Sequence, residues 1–473
     1  MLRLAHRGCS SRVLSSWLQR PQCQVWTRTL ATHTQQSTLD ASCSDDFGPL
    51  TDIEKIMVNS VKATGPLSFA TYMQLCLSHP IHGYYMNPQH AVFGTRGDFT
   101  TSPEISQVFG ELVAVWMLER WMNLAPSQPF RVVELGPGRG TLMDDMLRVT
   151  PTGPRPPCLF PAARAKLTNV HLVETSPAMR TLQESNLKHT VHNGSPGLVW
   201  HDALDDVPRS PNTYTMLVAH EFFDALPVHL IEKTSRGWHE VLIALSKDQS
   251  IRYSTPSAQS IGSVLRSASP DGVSKPQVMS SRWTPVISPT PTATSTLLGN
   301  VSPRFSILPV GSRIEVSGAA VKAVRSIAEL ITHDGVGGCA LVIDYGAEHA
   351  VGNSLRAFKE HKIVNIFHRP GECDITANVD FALLKESLGH NVTPLGTLCQ
   401  GEFLKRLGVQ LRASSLIRAA PTTERKKAIE DGINRLVDPL GMGGQYAVLG
   451  MTSEKKSGLP HQGVWPFVDD SNA

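Results

Sequence analysis

RVVELGPGRGTLMDDMLR, Arg131 to Arg148, decides the fold. It opens on a short apolar run, Val132-Val133-Glu134-Leu135, too brief for a helix and β-branched enough for a buried parallel strand. Gly136, Gly138 and Gly140 follow, and a helical pattern starts at Thr141. Strand, glycine turn and helix amino-terminus together expose backbone N–H groups at a place where a ligand approaches closely. The spacing is G-x-G-x-G, whereas a dinucleotide fold wants G-x-G-x-x-G, and Thr141 stands where that loop needs glycine. Glu134, at the strand end, also sits poorly beside a pyrophosphate.

A ligand with a cationic centre and a ribose suits these residues better. S-adenosylmethionine is such a ligand, and an ordinary tight strand-to-helix turn is the alternative. The same pattern recurs downstream. NVHLVE (Asn169 to Glu174) reads as a second buried strand ending in an acid, with Ser176-Pro177 opening the next helix. An acid at that position in a doubly wound sheet is placed to bind the ribose hydroxyls. Gly136 and Glu174 are further apart than the ~20 residues usual for this spacing, and the Pro-rich break PTGPRPP (Pro151 to Pro157) accounts for the excess. A third strand ends at His201-Asp202, where Asp202 either accepts from an adenine amino group or is a solvated loop carboxylate. TMLVA (Thr215 to Ala219) is a fourth, running into HEFFDALP. The carboxyl ends of central strands form the ligand crevice, so Glu221 and Asp224 lie where a substrate approaches, unless one of them caps the following turn.

The chain of 473 residues, 41% hydrophobic, has room for one large domain or two ordinary ones. A formal net charge of +3 gives no sign of a nucleic-acid surface, and no apolar run is long enough to span a bilayer. The 8 cysteines are scattered without a C-x-x-C, which argues against a disulfide framework and a zinc site. Arg3, Arg7, Arg12, Arg20 and Arg28 precede the first acid, Asp40, with Ser, Leu and Trp between them. That Arg- and Ser-rich leader resembles a mitochondrial transit peptide cleaved near Arg28 to Thr34; a basic tail is the alternative.

Five motifs occur in order: GYY (Gly83 to Tyr85), GDFTTSPEISQVFGE (Gly97 to Glu111), ELGPGRG (Glu134 to Gly140), HEFFDALPV (His220 to Val228) and PGECDITANVDF (Pro370 to Phe381). Together they resemble the MidA-like family of S-adenosylmethionine-dependent methyltransferases, and most of all its mitochondrial protein-arginine branch. The resemblance covers roughly Gly65 to Gly408 apart from one insertion. It implies S-adenosylmethionine as cofactor, with Gly97, Asp98, Thr101, Ser102, Glu134, Gly136, Gly138, Gly140, Glu174 and Asp202 around it. It also implies a protein substrate, a core subunit of respiratory complex I, symmetrically dimethylated on arginine in the mitochondrial matrix early in assembly. Glu221 and Asp224 are the expected catalytic pair, since carboxylates grip a guanidinium bidentately. No metal is expected. A small-molecule methyltransferase on the same fold, or a chaperone that uses the cofactor only to hold its shape, remain alternatives.

The expected architecture is an α/β, doubly wound Rossmann-like methyltransferase sheet, mostly parallel with an antiparallel closing strand, plus an N-terminal helical cap. The expected divisions are a leader and joint (1–45), the cap with a cofactor-covering loop (46–125), and a first catalytic half (126–245). A second half with the substrate region (307–455) and a tail (456–473) complete the chain. Between the halves, residues 246–306 are rich in Ser, Thr and Pro (STPSAQS, SPTPTATST), which predicts a disordered insertion. Ser102 is expected to cap the helix through SPEISQVFGE, with Pro103 at its first position, and Asn378 to cap a helix from Val379. Asp374 and Thr376 either shape the substrate mouth or tie their loop.

Overall fold

A computed structural model describes residues 48–87, 100–149, 161–190, 196–246, 281–332, 336–453 and 463–468. The expected transit peptide, Gly97, Asp98 and residues 247–280 lie outside them. The described chain opens with α1 (Asp52–Thr64), the short β1 (Leu67–Ser68) and α2 (Phe69–Ser78). Then α3 (Ser102–Ile105) and α4 (Gln107–Leu124) lead into β2 (Phe130–Leu135) and α5 (Thr141–Arg148). Next are α6 (Pro161–Arg164), β3 (Leu167–Val173), α7 (Pro177–Leu187), β4 (Gly197–His201) and β5 (Tyr214–His220). β6 (His229–Thr234), β7 (Gly237–Leu245), β8 (Trp283–Ile287), α8 (Ala293–Gly299) and β9 (Arg313–Val316) follow. The chain continues through α9 (Gly318–Thr332), β10 (Gly338–Ala347), β11 (Arg356–Lys359), β12 (Lys362–Val364), β13 (Asp374–Thr376) and β14 (Val379–Asp380). It closes with α10 (Phe381–Ser387), β15 (Val392–Cys399), α11 (Gln400–Arg406), α12 (Val409–Ala419), α13 (Thr423–Val437), α14 (Met442–Gln445) and β16 (Tyr446–Ser453).

The main sheet runs β15-β16-β10-β5-β2-β3-β4, with β14 paired to the end of β10. β10, β5, β2, β3 and β4 are parallel, while β16 is antiparallel to both β10 and β15. This is a mixed α/β sheet, mostly parallel, with closing antiparallel strands. Its central strands are apolar on both faces, as parallel strands covered on both sides must be. In β5, Tyr214, Met216 and Val218 join the core under α4 and α5, while Leu217 and Ala219 join the core under α9. Order along the sheet reverses between β2 and β5. β3 and β4 lie to one side of β2 and β5 to the other, which opens a crevice at the carboxyl ends of that pair.

A second sheet, β1-β7-β6-β9 with β8 also on β7, carries α1 and α2 rather than leaving them over the main sheet. Thr51 caps α1 in a reciprocal box with Glu54. A third, three-stranded sheet, β12-β11-β13, packs against α2.

The structure corrects three expectations. Within the segment expected to be disordered, residues 281–306 are folded: Trp283, Ile287, Leu298 and Phe305 are buried, and β8 adds to β7. The Ser and Thr that suggested disorder serve as caps. Thr292 and Ser295 form a capping box on α8, and the Ser295 hydroxyl donates to the Trp238 carbonyl at 2.7 Å. Ser102 does not cap the long helix. Thr101 precedes the four-residue α3, and the Ser106 hydroxyl accepts from Val108 N at the start of α4. Likewise Asp380, not Asn378, caps α10, accepting from Leu383 N at 3.0 Å.

Candidate active site

The crevice between β2 and β5 opens into a cavity of about 560 Å³. Its floor is the glycine turn after β2. Gly136, Gly138 and Gly140 all take positive φ, 62°, 51° and 80°. At Gly136 a side chain would be strained by that φ and tight against Phe222, whose Cδ2 is 3.1 Å from where a Cβ would stand. Gly136 and Gly138 line the cavity; Gly140 does not, and instead starts α5 as its left-handed cap. Glu134 is 3% exposed and one carboxylate oxygen has no hydrogen-bond partner. Burial pushes its pKa up to about 8.

Glu174 stands at the end of β3 on the cavity wall. It accepts from Ser176 N at 2.8 Å and from the Gln183 amide at 3.2 Å. Burial raises its pKa against those hydrogen bonds. Gln183, which the sequence did not single out, also donates to the Gly138 carbonyl at 2.7 Å and accepts from the Trp200 indole at 2.8 Å. One side chain from α7 thereby fixes the glycine turn, the β3 acid and β4. Asp202 lies at the cavity edge with its carboxylate 2.5 Å from Arg180 and largely exposed. Thr101 lines the cavity, whereas Ser102 is fully buried and its hydroxyl donates to Gln400 at 3.1 Å. Ser102 is therefore turned away from the ligand space, contrary to the sequence expectation.

On the β5 side, Glu221 takes a positive φ of 50°, rare for a residue with a Cβ. Its N–H donates to the Ile343 carbonyl at 3.0 Å, continuing the β5–β10 ladder past the strand end. The Tyr446 hydroxyl from β16 donates to the Glu221 carboxylate at 2.5 Å. Burial, then Asp224, Asp374 and Glu104, raise Glu221 to about 8, against the Tyr446 hydrogen bond. Asp224 is also buried and is pushed up by burial, by Asp344 and by Asp374, with Arg356 opposing. Asp344 accepts from Phe223 N and Asp224 N at 2.9 and 3.2 Å, which shapes the turn carrying both acids. Asp374 and Thr376 reach the same cavity from β13, and the Tyr85 hydroxyl donates to Asp374 at 2.6 Å.

Aromatic rings close this end. Tyr345 and Tyr446 have centroids 4.0 Å apart, and the Arg356 guanidinium lies 5.2 Å from the Tyr345 ring. His220 is buried between Phe109 and Tyr446, and burial lowers its pKa to about 3, so it is neutral. Among the described residues no cluster of His, Cys, Asp and Glu is placed to hold a metal ion.

Residues 112–398 match the model of a family described as S-adenosyl-L-methionine-dependent methyltransferase. The chain belongs to this family. Relatives named mitochondrial protein arginine methyltransferase NDUFAF7, or its homolog, align over most of both chains. The Drosophila melanogaster protein is 36% identical over 83% of this chain and 82% of its own. The Danio rerio protein is 34% identical over 83% and 85%. The Homo sapiens protein is 31% identical over 88% and 85%. A solved structure from Burkholderia thailandensis, bound to S-adenosyl-homocysteine, superposes with a TM-score of 0.62 at 22% identity, covering 85% of this chain and 92% of that one. It shares the fold.

The cavity suits the family's cofactor. Glu134 offers a buried carboxylate oxygen with no partner, the Gly136 turn takes a φ that disfavours a side chain, and Glu174 is held at the strand end where ribose hydroxyls bind in such sheets.

Proposed function

We propose that this chain methylates an arginine of a protein substrate, using S-adenosylmethionine held along the β2–β3 side of the cavity. The carrying observation is the group of carboxylates at the β5 side of that cavity, the half-buried Glu221 with the buried Asp224 and Asp374. Buried acids that raise one another's pKa favour a cationic guest, and a guanidinium is planar and forked to match. The relatives' names support the same reading.

In this reading Glu134, Gly136, Gly138, Glu174, Asp202 and Thr101 hold the cofactor, together with Gly97 and Asp98. When bound, it supplies a methyl carbon on a sulfonium, which leaves as a neutral thioether. Glu221 and Asp224 receive the guanidinium. Deprotonating that group beforehand at pH 7 costs at least ~7.5 kcal/mol. A carboxylate grip avoids this by drawing positive charge toward the held nitrogens. The proton leaves the methylated nitrogen as the new C–N bond forms, and Glu221 accepts it. A base titrating near the working pH is well matched to that task. The remaining barrier is met largely by orientation, which is capable of supplying about 7–11 kcal/mol. Tyr446 fixes one Glu221 oxygen, and Phe222 and Phe223 keep the turn dry.

The finer reading is symmetric dimethylation of a core subunit of respiratory complex I in the mitochondrial matrix, needed for assembly of that complex. The relatives' mitochondrial names support the compartment. Among the described residues no helix is long and apolar enough to cross a membrane. The test is mass spectrometry of the complex I core subunits after incubation with S-adenosylmethionine and either the wild type or Glu221→Ala. Symmetric dimethylarginine formed by the wild type alone is expected. Cofactor binding without transfer to any protein would overturn the arginine reading in favour of a small-molecule substrate or a chaperone.

A further inference from the structure

Gln183, on α7, is 0% exposed, and its amide joins three parts of the cofactor side of the cavity. Its Nε2 donates to the Gly138 carbonyl at 2.7 Å and to the Glu174 carboxylate at 3.2 Å. Its Oε1 accepts from the Trp200 indole at 2.8 Å. A flipped amide would set its oxygen against the Gly138 carbonyl and the Glu174 carboxylate, and its NH2 against the indole N–H. All three contacts therefore fix one orientation.

Glu174 is held from two sides. Its Oε1 accepts from Ser176 N at 2.8 Å, and its Oε2 accepts from Gln183. An ionised carboxylate has about four lone-pair sites, so one donor on each oxygen leaves each able to accept again. Glu174 lines the cavity, and that remaining capacity suits a vicinal diol, with one hydroxyl donating to each oxygen. Without Gln183, Oε2 loses its side-chain donor, and the carboxylate is free to turn about its terminal torsion, which is broad for Glu. Asn186, one turn further along α7, donates to the Arg139 carbonyl at 2.9 Å. It binds the same glycine turn but not Glu174.

We infer that Gln183 is a positioning residue for the cofactor's ribose, setting the Glu174 carboxylate so that its two oxygens meet the 2′- and 3′-hydroxyls together. This rests on Glu174 as the ribose acceptor. Gln183 does not line the cavity; it acts through Glu174, and through Gly138 it ties the ribose contact to the glycine turn.

The experiment measures binding of S-adenosyl-homocysteine and its 2′,3′-dideoxy analogue to the full chain by calorimetry. The wild type is expected to bind the dideoxy analogue at least about tenfold more weakly, the scale of a hydrogen bond to a charged group. Gln183→Met keeps a similar shape and removes all three polar contacts. Loss of the Gly138 contact weakens both ligands alike, whereas loss of Glu174 alignment weakens only the ligand with hydroxyls, so the ratio of Kd values falls toward one. Asn186→Ala keeps the wild-type ratio. Trp200→Phe removes the N–H that anchors the Gln183 oxygen and narrows the ratio in the same direction; it keeps the test open if Gln183→Met folds poorly. A ratio left unchanged by Gln183→Met, or by Trp200→Phe where only that variant folds, overturns the inference and leaves Glu174 on the ribose. So does a ratio that Asn186→Ala narrows as much. Equal binding of the two ligands by the wild type overturns the ribose role of Glu174, and the inference with it.

Discussion

Tyr446→Phe removes one atom, the hydroxyl that donates to Glu221 at 2.5 Å. Its ring packing is retained, against Tyr345 at 4.0 Å and His220 at 6.1 Å. A hydrogen bond to a charged group contributes about 1.5–3 kcal/mol, which at 1.36 kcal/mol per pKa unit is roughly one to two units. The hydrogen bond stabilises the carboxylate and lowers the Glu221 pKa, so its loss raises that pKa further above the present value of about 8. If Glu221 acts ionised, the acid limb of kcat/KM against pH moves upward by the same one to two units. At pH 7.5 the ionised fraction, and with it kcat/KM, falls about ten- to hundredfold, and recovers at high pH. The assay is transfer of labelled methyl to an arginine peptide over a range of pH, because kcat/KM reports the free enzyme. A uniform loss at every pH, with the limb in place, would refute the reasoning and reduce Tyr446 to packing.

Gly136→Ala places a Cβ at a left-handed φ and 3.1 Å from Phe222, a backbone cost of about 1–2 kcal/mol, so a lower melting temperature and weaker S-adenosyl-homocysteine binding by calorimetry are expected. Glu134→Gln stabilises the fold while weakening the cofactor. The buried acid keeps its proton up to about pH 8, whereas the unfolded chain sheds it near 4.5, so wild-type stability falls as pH rises through that window. The gain in melting temperature is therefore absent below pH 4.5 and fully present above 8. Gly299→Ala sets a Cβ 2.1 Å from Trp238 Cδ1, and overpacking of that kind costs about 1–3 kcal/mol or more. An unchanged melting temperature would mean that α8 is not seated on β7.

The strands of the main sheet were legible because burial on both faces leaves short continuous apolar runs, and glycine at the first turn has no substitute at its φ. The acids at strand ends were legible for a related reason: topology alone puts Glu134, Glu174 and Glu221 at one edge. Their partners were not. Tyr446 meets Glu221 across 225 residues, and Gln183 reads as one more polar position on an amphipathic helix. Neither leaves a local signal, since both act through contacts that exist only after the sheet has closed. The Ser/Thr/Pro segment misled for the opposite reason. Composition counts Thr292 and Ser295 as polar chain, while in the fold their hydroxyls satisfy helix-end N–H groups and the apolar residues around them reach a core built by β7. Ser102 looked like a cap because Ser-Pro-Glu is a helix start, yet the extended backbone at Ser106 divides the helix in two.

Burial alone makes a cavity of ionised carboxylates expensive, and the pKa values say how the protein avoids that cost. Glu134 and Glu221 are both raised to about 8 and Asp344 to about 7, so near neutral pH the site holds protons in place of charge. A bound cation reverses this by favouring the carboxylate, and the displaced proton goes to the buffer. Calorimetric titrations at pH 7 in buffers of different protonation enthalpy measure that release directly. An arginine peptide is expected to expel up to about one proton through Glu221, because a group titrating near 8 is ~90% protonated at pH 7. S-adenosylmethionine is expected to release more than S-adenosyl-homocysteine, since only the former carries a sulfonium. Release dies away above pH 9, where the acids are already ionised. Glu221→Gln removes the peptide-linked part and Glu134→Gln the cofactor-linked part. If the heats were independent of buffer, binding would displace no proton, and the coupling of cation entry to ionisation of these acids would be refuted.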